Sequence, residues 1–330
     1  MIAYIHGLGH FHPANEIDNV FLQDLDIGTD VAWIMERVGI ESRRTVLPLD
    51  YIRTTRNADP RQAAEVSLYT NAETGAIAAR HAVAAAGLQP GDIGMVISGS
   101  CTPQSSCPAE ACTIAAALGI EAPAFDLNSA CSTFAWQLHF LASMHPERLP
   151  DFVLLLQVEN STRAVDYNDR NTCVLWGDGS TAQVVSLRVP ARLKLIHSEL
   201  DSDPKACDKV RFPQHGHFIQ EGRTVQTFAI KRSLAVLARL RAQVGSERSA
   251  RMKFIGHQAN RSMLESICRN GGIAAEDHWF NVDRFGNCGA AGAPSVLSEN
   301  QDRLADGDLL SVVVVGGGLS WGGLMLEVGA

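Results

Sequence analysis

The chain has 330 residues, with 28 Lys and Arg against 36 Asp and Glu, for a formal charge of −8. Apolar residues make up 46 % and charged residues 19 %, which supplies a core and excludes a disordered or fibrous chain. The acidic balance argues against nucleic-acid binding by whole-protein charge, and 6 % aromatics leave few stacking surfaces for single strands.

Length predicts about two domain-sized units. The opening MIAYIHGLGHF has no basic segment ahead of its apolar run and turns at Gly7 and Gly9. The longest nearly apolar run, residues 309–319, falls well short of the ~20 residues that cross a bilayer. The expectation is a cytoplasmic protein, off the membrane, with its eight cysteines reduced. Cys101, Cys107 and Cys112 cluster without a second ligand pair at zinc-site spacing. His10 with His12, and His215 with His217, lack an acid or Cys at matching spacing, so no metal is expected.

In chain order, short β-branched runs alternate with Ala-rich helical stretches, the pattern of an α/β fold. A first strand, AYIHGLG from Ala3, precedes a polar excursion at 46–65 that is expected on the surface. There follow GMVISG from Gly94, AFDLNSAC from Ala124, DFVLLLQVE from Asp151 and WGDGSTAQVVSL from Trp176. A second series opens with RLKLIHSEL from Arg192 and crosses an irregular stretch at 200–222. It continues with KFIGH from Lys253, WFNVDRFGN from Trp279, LLSVVVVGGG from Leu309 and SWGGLMLEV from Ser320. Strand starts lie about 30 residues apart, the length of a β–helix–β unit. Four echoes in the same order predict a duplicated α/β core, residues 1–190 and 191–330, divided near Pro190. The glycines of WGDGST permit a tight turn, and the segment lacks the Lys of a phosphate-binding loop.

Cys131 falls between a strand and the helical pattern CSTFAWQLHFLASM, so it sits at a helix N-terminus, where thiolate is favoured over thiol. His257 in HQAN and Asn287 in DRFGNCGAAGA occupy corresponding strand ends of the second half, and Gly316–Gly318 end another strand. Duplication would bring a thiol, an imidazole, an amide and free backbone N–H groups to one centre. No acid partner for the His is apparent, which disfavours a hydrolase triad. A Cys nucleophile with hydrogen-bond donors fits acyl transfer through an enolate or oxyanion.

These segments resemble β-ketoacyl-acyl-carrier-protein synthase III, of the thiolase-fold superfamily. The match runs end to end through GLG, TDVAWIMERVGI, AFDLNSACSTF, WGDG, HQAN, DRFGNCGAAGAPS and GGGLSWG. The resemblance implies a five-layered αβαβα fold and a homodimer. It implies that Cys131 takes the acyl group from an acyl-CoA, with the N–H groups of Cys131 and Gly317 as the oxyanion hole. His257 and Asn287 would stabilise the enolate formed when a malonyl-carrier thioester loses CO2. Trp33 and Arg170 match the pair that sandwiches the coenzyme A adenine, and Thr29, Arg37 and Asn260 match further coenzyme A contacts. No cofactor is implied, with coenzyme A thioesters and an acyl carrier protein as partners.

From Arg223 to Arg261 nine basic residues stand against one acid, Glu247. Such a rim would steer an acidic carrier protein, with Lys231, Arg232 and Arg261 as the expected docking residues. The chain departs from the family pattern at Cys107, where acetyl-specific members place a Phe that gates the acyl pocket. It departs again at Ser132 and Thr133, and at 46–65 and 200–222. The expectation is a specialised member taking a primer other than acetyl. Two other readings are acyl transfer to oxygen or nitrogen without decarboxylation, and a non-catalytic subunit of a heteromeric synthase. Asn287 argues against the first, since an amide cannot take a proton, and retention of Cys131 and His257 argues against the second.

Overall fold

The computed structural model describes residues 2–214, 216–249 and 252–329. His215, named above as a metal candidate, and Arg251, one of the nine basic residues between Arg223 and Arg261, lie outside the described residues. Among the described residues nine strands join one sheet. They are β1 (Ala3–Phe11), β2 (Met95–Gly99), β3 (Ala124–Asp126), β4 (Val153–Glu159), β5 (Gly179–Ser186), β6 (Leu193–Ser202), β7 (Lys253–Gly256), β8 (Leu309–Gly316) and β9 (Ser320–Val328). The principal helices are α1 (Val31–Val38), α2 (Asn71–Ala85), α3 (Glu110–Leu118), α4 (Thr133–Ala142), α5 (Gly222–Val244), α6 (Arg261–Gly271) and α7 (Gly292–Glu299).

The spatial order is β7-β8-β9-β6-β1-β5-β4-β2-β3. Outward from the β6–β1 seam, each side shows its first strand, its last, its penultimate and then its second. The seam is three residue pairs, Ala3↔Leu195 to Ile5↔Leu193, and Pro190 lies exposed in the connection between β5 and β6. Strands β4, β5 and β8 are buried along their whole length because helices cover both faces; β8 reads as a nearly continuous apolar run, while Gln157 of β4 and Thr181 and Gln183 of β5 are buried by hydrogen-bonding one another. Helices α2 and α3 pack outside the first set of strands, α5 and α6 outside the second, and α4 and α7 between the two sets. That is the αβαβα layering.

Two segments differ from the sequence reading. WFNVDRFGN is not a strand: a parallel bridge Phe254↔His278 falls just before it, a helical turn follows at Val282–Phe285, and its last residue makes the isolated bridge Trp176↔Asn287. The Gln258 carboxamide oxygen accepts from the N–H groups of Asn281 and Val282, at 3.1 and 3.3 Å, taking the donors a ladder would need. Residues 46–65 are not a surface excursion but two short helices, Leu49–Thr55 and Pro60–Val66, with Leu47, Ile52 and Ala63 in the core. Buried Asn57 pins them, its Nδ2 donating to Arg163 O at 2.9 Å and Val165 O at 2.8 Å. Among the described residues no helix is long and apolar enough to cross a membrane, and no group of three His, Cys, Asp or Glu is placed to hold a metal ion.

Strand β1 and α2 approach closely because Gly7 and Gly9 face an alanine-rich helix. A Cβ at Gly9 would run into Ala78 O and Ala82 N, which are backbone atoms and cannot step aside. Gly9→Ala should therefore destabilise the fold by at least about 2 kcal/mol in a denaturant titration.

Three buried carboxyls are pushed up by loss of water: Glu159 to about 8, Glu110 to about 7 and Asp178 to about 6. The folded protein keeps these protons at pH values where the unfolded chain has lost them. For Glu159 the stability is whole below the ordinary value of 4.5 and falls as pH rises toward about 8. Glu159→Gln removes that contribution. Its stability should fall less steeply than wild type between about pH 5 and 8, the difference reaching a few kcal/mol on the order expected from linkage.

Candidate active site

The nucleophile turn joins β3 to α4 over residues 127–132. Ala130 has φ 48°, a left-handed conformation that a residue with a Cβ adopts only under constraint. The constraint is a local set of hydrogen bonds. Asn128 Oδ1 accepts from Ala130 N at 3.0 Å, and Thr133 Oγ1 accepts from Ser129 N at 2.8 Å while donating to Ala130 O at 2.6 Å. Ser132 Oγ donates to Ser129 O at 2.7 Å and meets Ser320 Oγ at 2.8 Å. The hydroxyls of Ser132 and Thr133 thus face the turn and its neighbours.

The end of β8 presses against it. A Cβ at Gly316 would stand 2.9 Å from Cys131 N and 2.8 Å from Ser132 N. Gly317 follows, its peptide oxygen accepting from Ser320 Oγ at 3.1 Å, and Gly318 takes φ 130°. Part of the 200–222 stretch forms a small hairpin, Val210–Arg211 with Ile219–Gln220, that covers this glycine turn. Val210 lies 3.5 Å from where a Gly317 side chain would begin, and at the far end His217 Nε2 donates to Asn57 O at 2.7 Å. Phe212 and Phe218 of the same stretch close on Trp176, with ring centroids 5.0 and 4.7 Å away.

The Cys131 thiol is buried. Cys101, chiefly, and then His257 hold it well below the ordinary thiol range, against the opposing effect of burial. His257 follows β7, and its Nδ1 is buried without a hydrogen-bond partner among the described residues. Asn287 is fixed through its backbone, Asn287 N donating to Leu175 O at 2.8 Å and Gly177 N to Asn287 O at 3.1 Å. Its Oδ1 accepts from Gly289 N at 3.0 Å, which orients the carboxamide and leaves Nδ2 as the donor the turn does not use.

Cys101 and Glu159 were not picked out as site residues from the sequence. Strand β2 pairs in parallel with both β3 and β4, so the residues at or just past their C-terminal ends share one edge of the sheet. Those residues are Cys101, Cys131 and Glu159. Strand-end position was the signal. Both Glu159 carboxyl oxygens accept from Cys101 N, at 3.2 and 3.0 Å, and Oε1 also accepts from Ala290 N at 3.1 Å. Glu159 thereby ties the Cys101 loop to the turn carrying Asn287.

The peripheral residues divide. The Arg170 guanidinium lies over the Trp33 ring, 5.0 Å from its centroid, and donates to Gly28 O. Thr29 Oγ1 is buried nearby with no partner among the described residues, and Arg37 is exposed one turn beyond Trp33 on α1. Asn260 caps α6, its Oδ1 accepting from Met263 N at 2.8 Å. The basic stretch is less free than its count implies. Arg232 is half-buried, its guanidinium 4.5 Å from the Trp321 ring centroid, and Arg261 pairs with Glu265 at 2.9 Å beside the Phe280 ring. Lys231 is exposed, and Cys107 lies exposed between β2 and α3.

Two family models match: 3-oxoacyl-[acyl-carrier-protein] synthase III over residues 125–204, and the C-terminal region of the same family over residues 243–328. A β-ketoacyl-[acyl-carrier-protein] synthase III of Sphingopyxis alaskensis is 31 % identical, with 99 % of each chain covered. Among solved structures, the Pseudomonas aeruginosa enzyme superposes with a TM-score of 0.87 at 27 % identity, covering 100 % of this chain and 99 % of that one. The Aquifex aeolicus enzyme gives 0.86 at 28 % identity, covering 98 % and 99 %. A priming β-ketosynthase of the R1128 polyketide pathway, 23 % identical over 99 % and 96 % of the chains, shares the fold at a TM-score of 0.81. The chain therefore belongs to the β-ketoacyl-[acyl-carrier-protein] synthase III family, enzymes of the thiolase-fold acyltransferase class.

Proposed function

We propose that Cys131 carries the acyl group in the decarboxylative Claisen condensation that starts a fatty-acid or polyketide-type chain. The observation behind this is one buried thiol just before the start of a helix, on a constrained turn against a glycine strand end. In the loading step the Cys131 thiolate attacks the carbonyl carbon of an acyl-CoA. A new C–S bond forms, the bond to coenzyme A breaks, and the coenzyme A thiolate leaves and takes a proton. The N–H groups of Cys131 and Gly317 hold the oxyanion. In the second step the malonyl thioester of an acyl carrier protein loses CO2. The electron pair of the broken C–C bond becomes an enolate whose oxygen accepts hydrogen bonds from His257 and Asn287. That carbon attacks the acyl-Cys131 carbonyl, the C–S bond to Cys131 breaks, and a β-ketoacyl thioester departs. No metal or cofactor enters this sequence.

Trp33 and Arg170 would take the adenine of coenzyme A between ring and guanidinium, with Thr29, Arg37 and the free Nδ2 of Asn260 on the rest of the carrier arm. Lys231 is the docking cation for the acidic carrier protein. Arg232 and Arg261, held over aromatic rings, shape the rim. The working unit is a cytoplasmic homodimer in which the small side chain of Cys107 gates the acyl pocket of the other copy, admitting a primer longer or more branched than acetyl. Acyl transfer to oxygen or nitrogen would need a base at position 287, which an amide does not provide.

With acyl-CoA and malonyl-carrier protein, the wild type should release CO2 in step with β-ketoacyl product, and Cys131→Ala should make no product. Asn287→Ala should still take the acyl group on Cys131 but lose about 100-fold or more in CO2 release, the scale of one oxyanion donor. Acyl transfer without CO2 release overturns the reading. Trp33→Ala should raise the KM for acyl-CoA about fivefold with kcat unchanged, as loss of a ring–cation contact dictates. Mass spectrometry of Cys131 after exposure to acyl-CoAs of different lengths should find the longer or branched adducts; exclusive acetylation rules out the wider pocket.

A further inference from the structure

Three serine hydroxyls meet where the two halves touch beside the nucleophile. Ser129 and Ser132 belong to the nucleophile turn, and Ser320 opens β9 in the second half. Ser132 Oγ lies 2.8 Å from Ser320 Oγ, and Ser129 Oγ lies 3.2 Å from Ser320 Oγ and 3.1 Å from Ser132 Oγ. Ser132 and Ser320 are buried. The condensation as written uses none of the three.

A hydroxyl carries one proton and two lone pairs, so these contacts must divide three protons. The Ser132 proton goes to Ser129 O, its shortest contact at 2.7 Å. The Ser129 Oγ proton reaches Ser320 Oγ. That leaves the Ser320 proton between Ser132 Oγ at 2.8 Å and Gly317 O at 3.1 Å. The nucleophile turn already closes on itself, Ser132 N donating to Ser129 O at 3.1 Å, so what Ser320 adds is a tie across the halves. The far end of that tie needs it more. The β8–β9 ladder ends at the pair Gly316↔Ser320, which leaves Gly317 outside the ladder in a glycine turn. Strand pairing therefore does not orient the Gly317 peptide, and glycine has wide backbone freedom. The Ser320 hydroxyl, reaching back to Gly317 O, restricts it.

We propose that Ser320 is a positioning residue for the oxyanion hole, tying Gly317 to Ser132 and so fixing the spacing between the N–H groups of Gly317 and Cys131. This role rests on Cys131 being the acyl acceptor. When the Cys131 sulfur attacks a thioester, the carbonyl oxygen takes up the electron pair of the C=O double bond and returns it as coenzyme A leaves. Two donors fixed in advance stabilise that oxygen more than donors that must first turn toward it. A Gly317 peptide free to rotate forfeits part of the advantage, since a misplacement of about 1 Å is already costly in rate.

The test compares two reactions of Cys131 in the wild type, Ser320→Ala, Ser132→Ala and the double variant, with thermal melting to check that each is folded. One is single-turnover loading from acyl-CoAs ranging from acetyl to dodecanoyl, followed by intact-protein mass spectrometry. The other is alkylation by iodoacetamide, which displaces iodide at a saturated carbon and develops no oxyanion. Each single variant should load about tenfold more slowly at saturating acyl-CoA, a fraction of the 100-fold or more that follows outright removal of a donor. The half-saturating acyl-CoA concentration should not change, and alkylation should stay within about twofold of wild type. The double variant should also be slowed about tenfold, because both substitutions cut one tie. Loading at the wild-type rate in both single variants overturns the proposal. So does an equal slowing of loading and alkylation, which marks a disturbed nucleophile, or a double variant slowed about 100-fold, which marks two independent hydroxyls. Wild-type enzyme that is alkylated at Cys131 but takes no acyl group from any of the thioesters overturns the nucleophile assignment itself.

Discussion

The two halves of the chain meet at several contacts that tolerate no side chain, and the one that touches the nucleophile turn is Gly316 against the backbone of Cys131 and Ser132. With a Cβ at 316 already under 3 Å from both amide nitrogens, any larger residue would push the end of β8 away from the nucleophile turn. The consequence is chemical as well as steric. The N–H groups proposed to hold an oxyanion belong to opposite sides of this contact, one beside the nucleophile and one in the glycine turn. Their separation is set by how closely the two backbones approach. A donor displaced by even 1 Å loses most of its advantage over water, because preorganisation is what makes it valuable.

The strain at Ala130 follows from the same contact. For the turn to present its amides to β8, one residue must reverse the chain in the left-handed region, and a non-glycine residue there costs on the order of 1–3 kcal/mol. The hydroxyls of Ser132, Thr133 and Ser320 and the carboxamide of Asn128 offset that cost by satisfying the turn internally. Ser320 belongs to the second half, so the turn is complete only when both halves are folded. The catalytic geometry and the association of the halves are in this sense one property.

Much of this was legible in the sequence, and the parts that were not share a cause. Strands with apolar runs of five or more residues read correctly because helices bury both faces and the chain order repeats. The positions of Cys131 and His257 at strand ends were legible because there a strand pattern stops and a helical or turn pattern starts. WFNVDRFGN failed as a strand because Gln258, twenty-odd residues upstream, takes its backbone donors, and no local pattern records that. The 46–65 stretch failed for a similar reason: Asn57 looks like an ordinary turn residue until its carboxamide is seen to hold two carbonyls of the 163–165 segment. Cys101 and Glu159 were hidden differently. Strand ends announce which residues share an edge only after the strand order is known, and the order β4-β2-β3 is not written in the sequence.

The basic stretch shows how far a count of charges stands from a surface. Nine basic residues in Arg223–Arg261 read as a rim able to attract an acidic partner. In the fold Arg239 is bound to Glu199, Arg248 to Glu327 and Lys253 to Asp277, while Arg241 donates to Gly271 O. Each cation closed by an anion contributes a local dipole, and at physiological ionic strength its field fades within about 8 Å. Among the described residues of the stretch, Arg223 and Lys231 on α5 remain exposed without an ion pair. Attraction of a carrier protein would then depend on these two and on the guanidinium of Arg232 above Trp321, rather than on the stretch as a whole. A small number of cations favours a partner that is brought in by charge and released once the chemistry is done, since long-range steering raises the rate of encounter more than the stability of the complex.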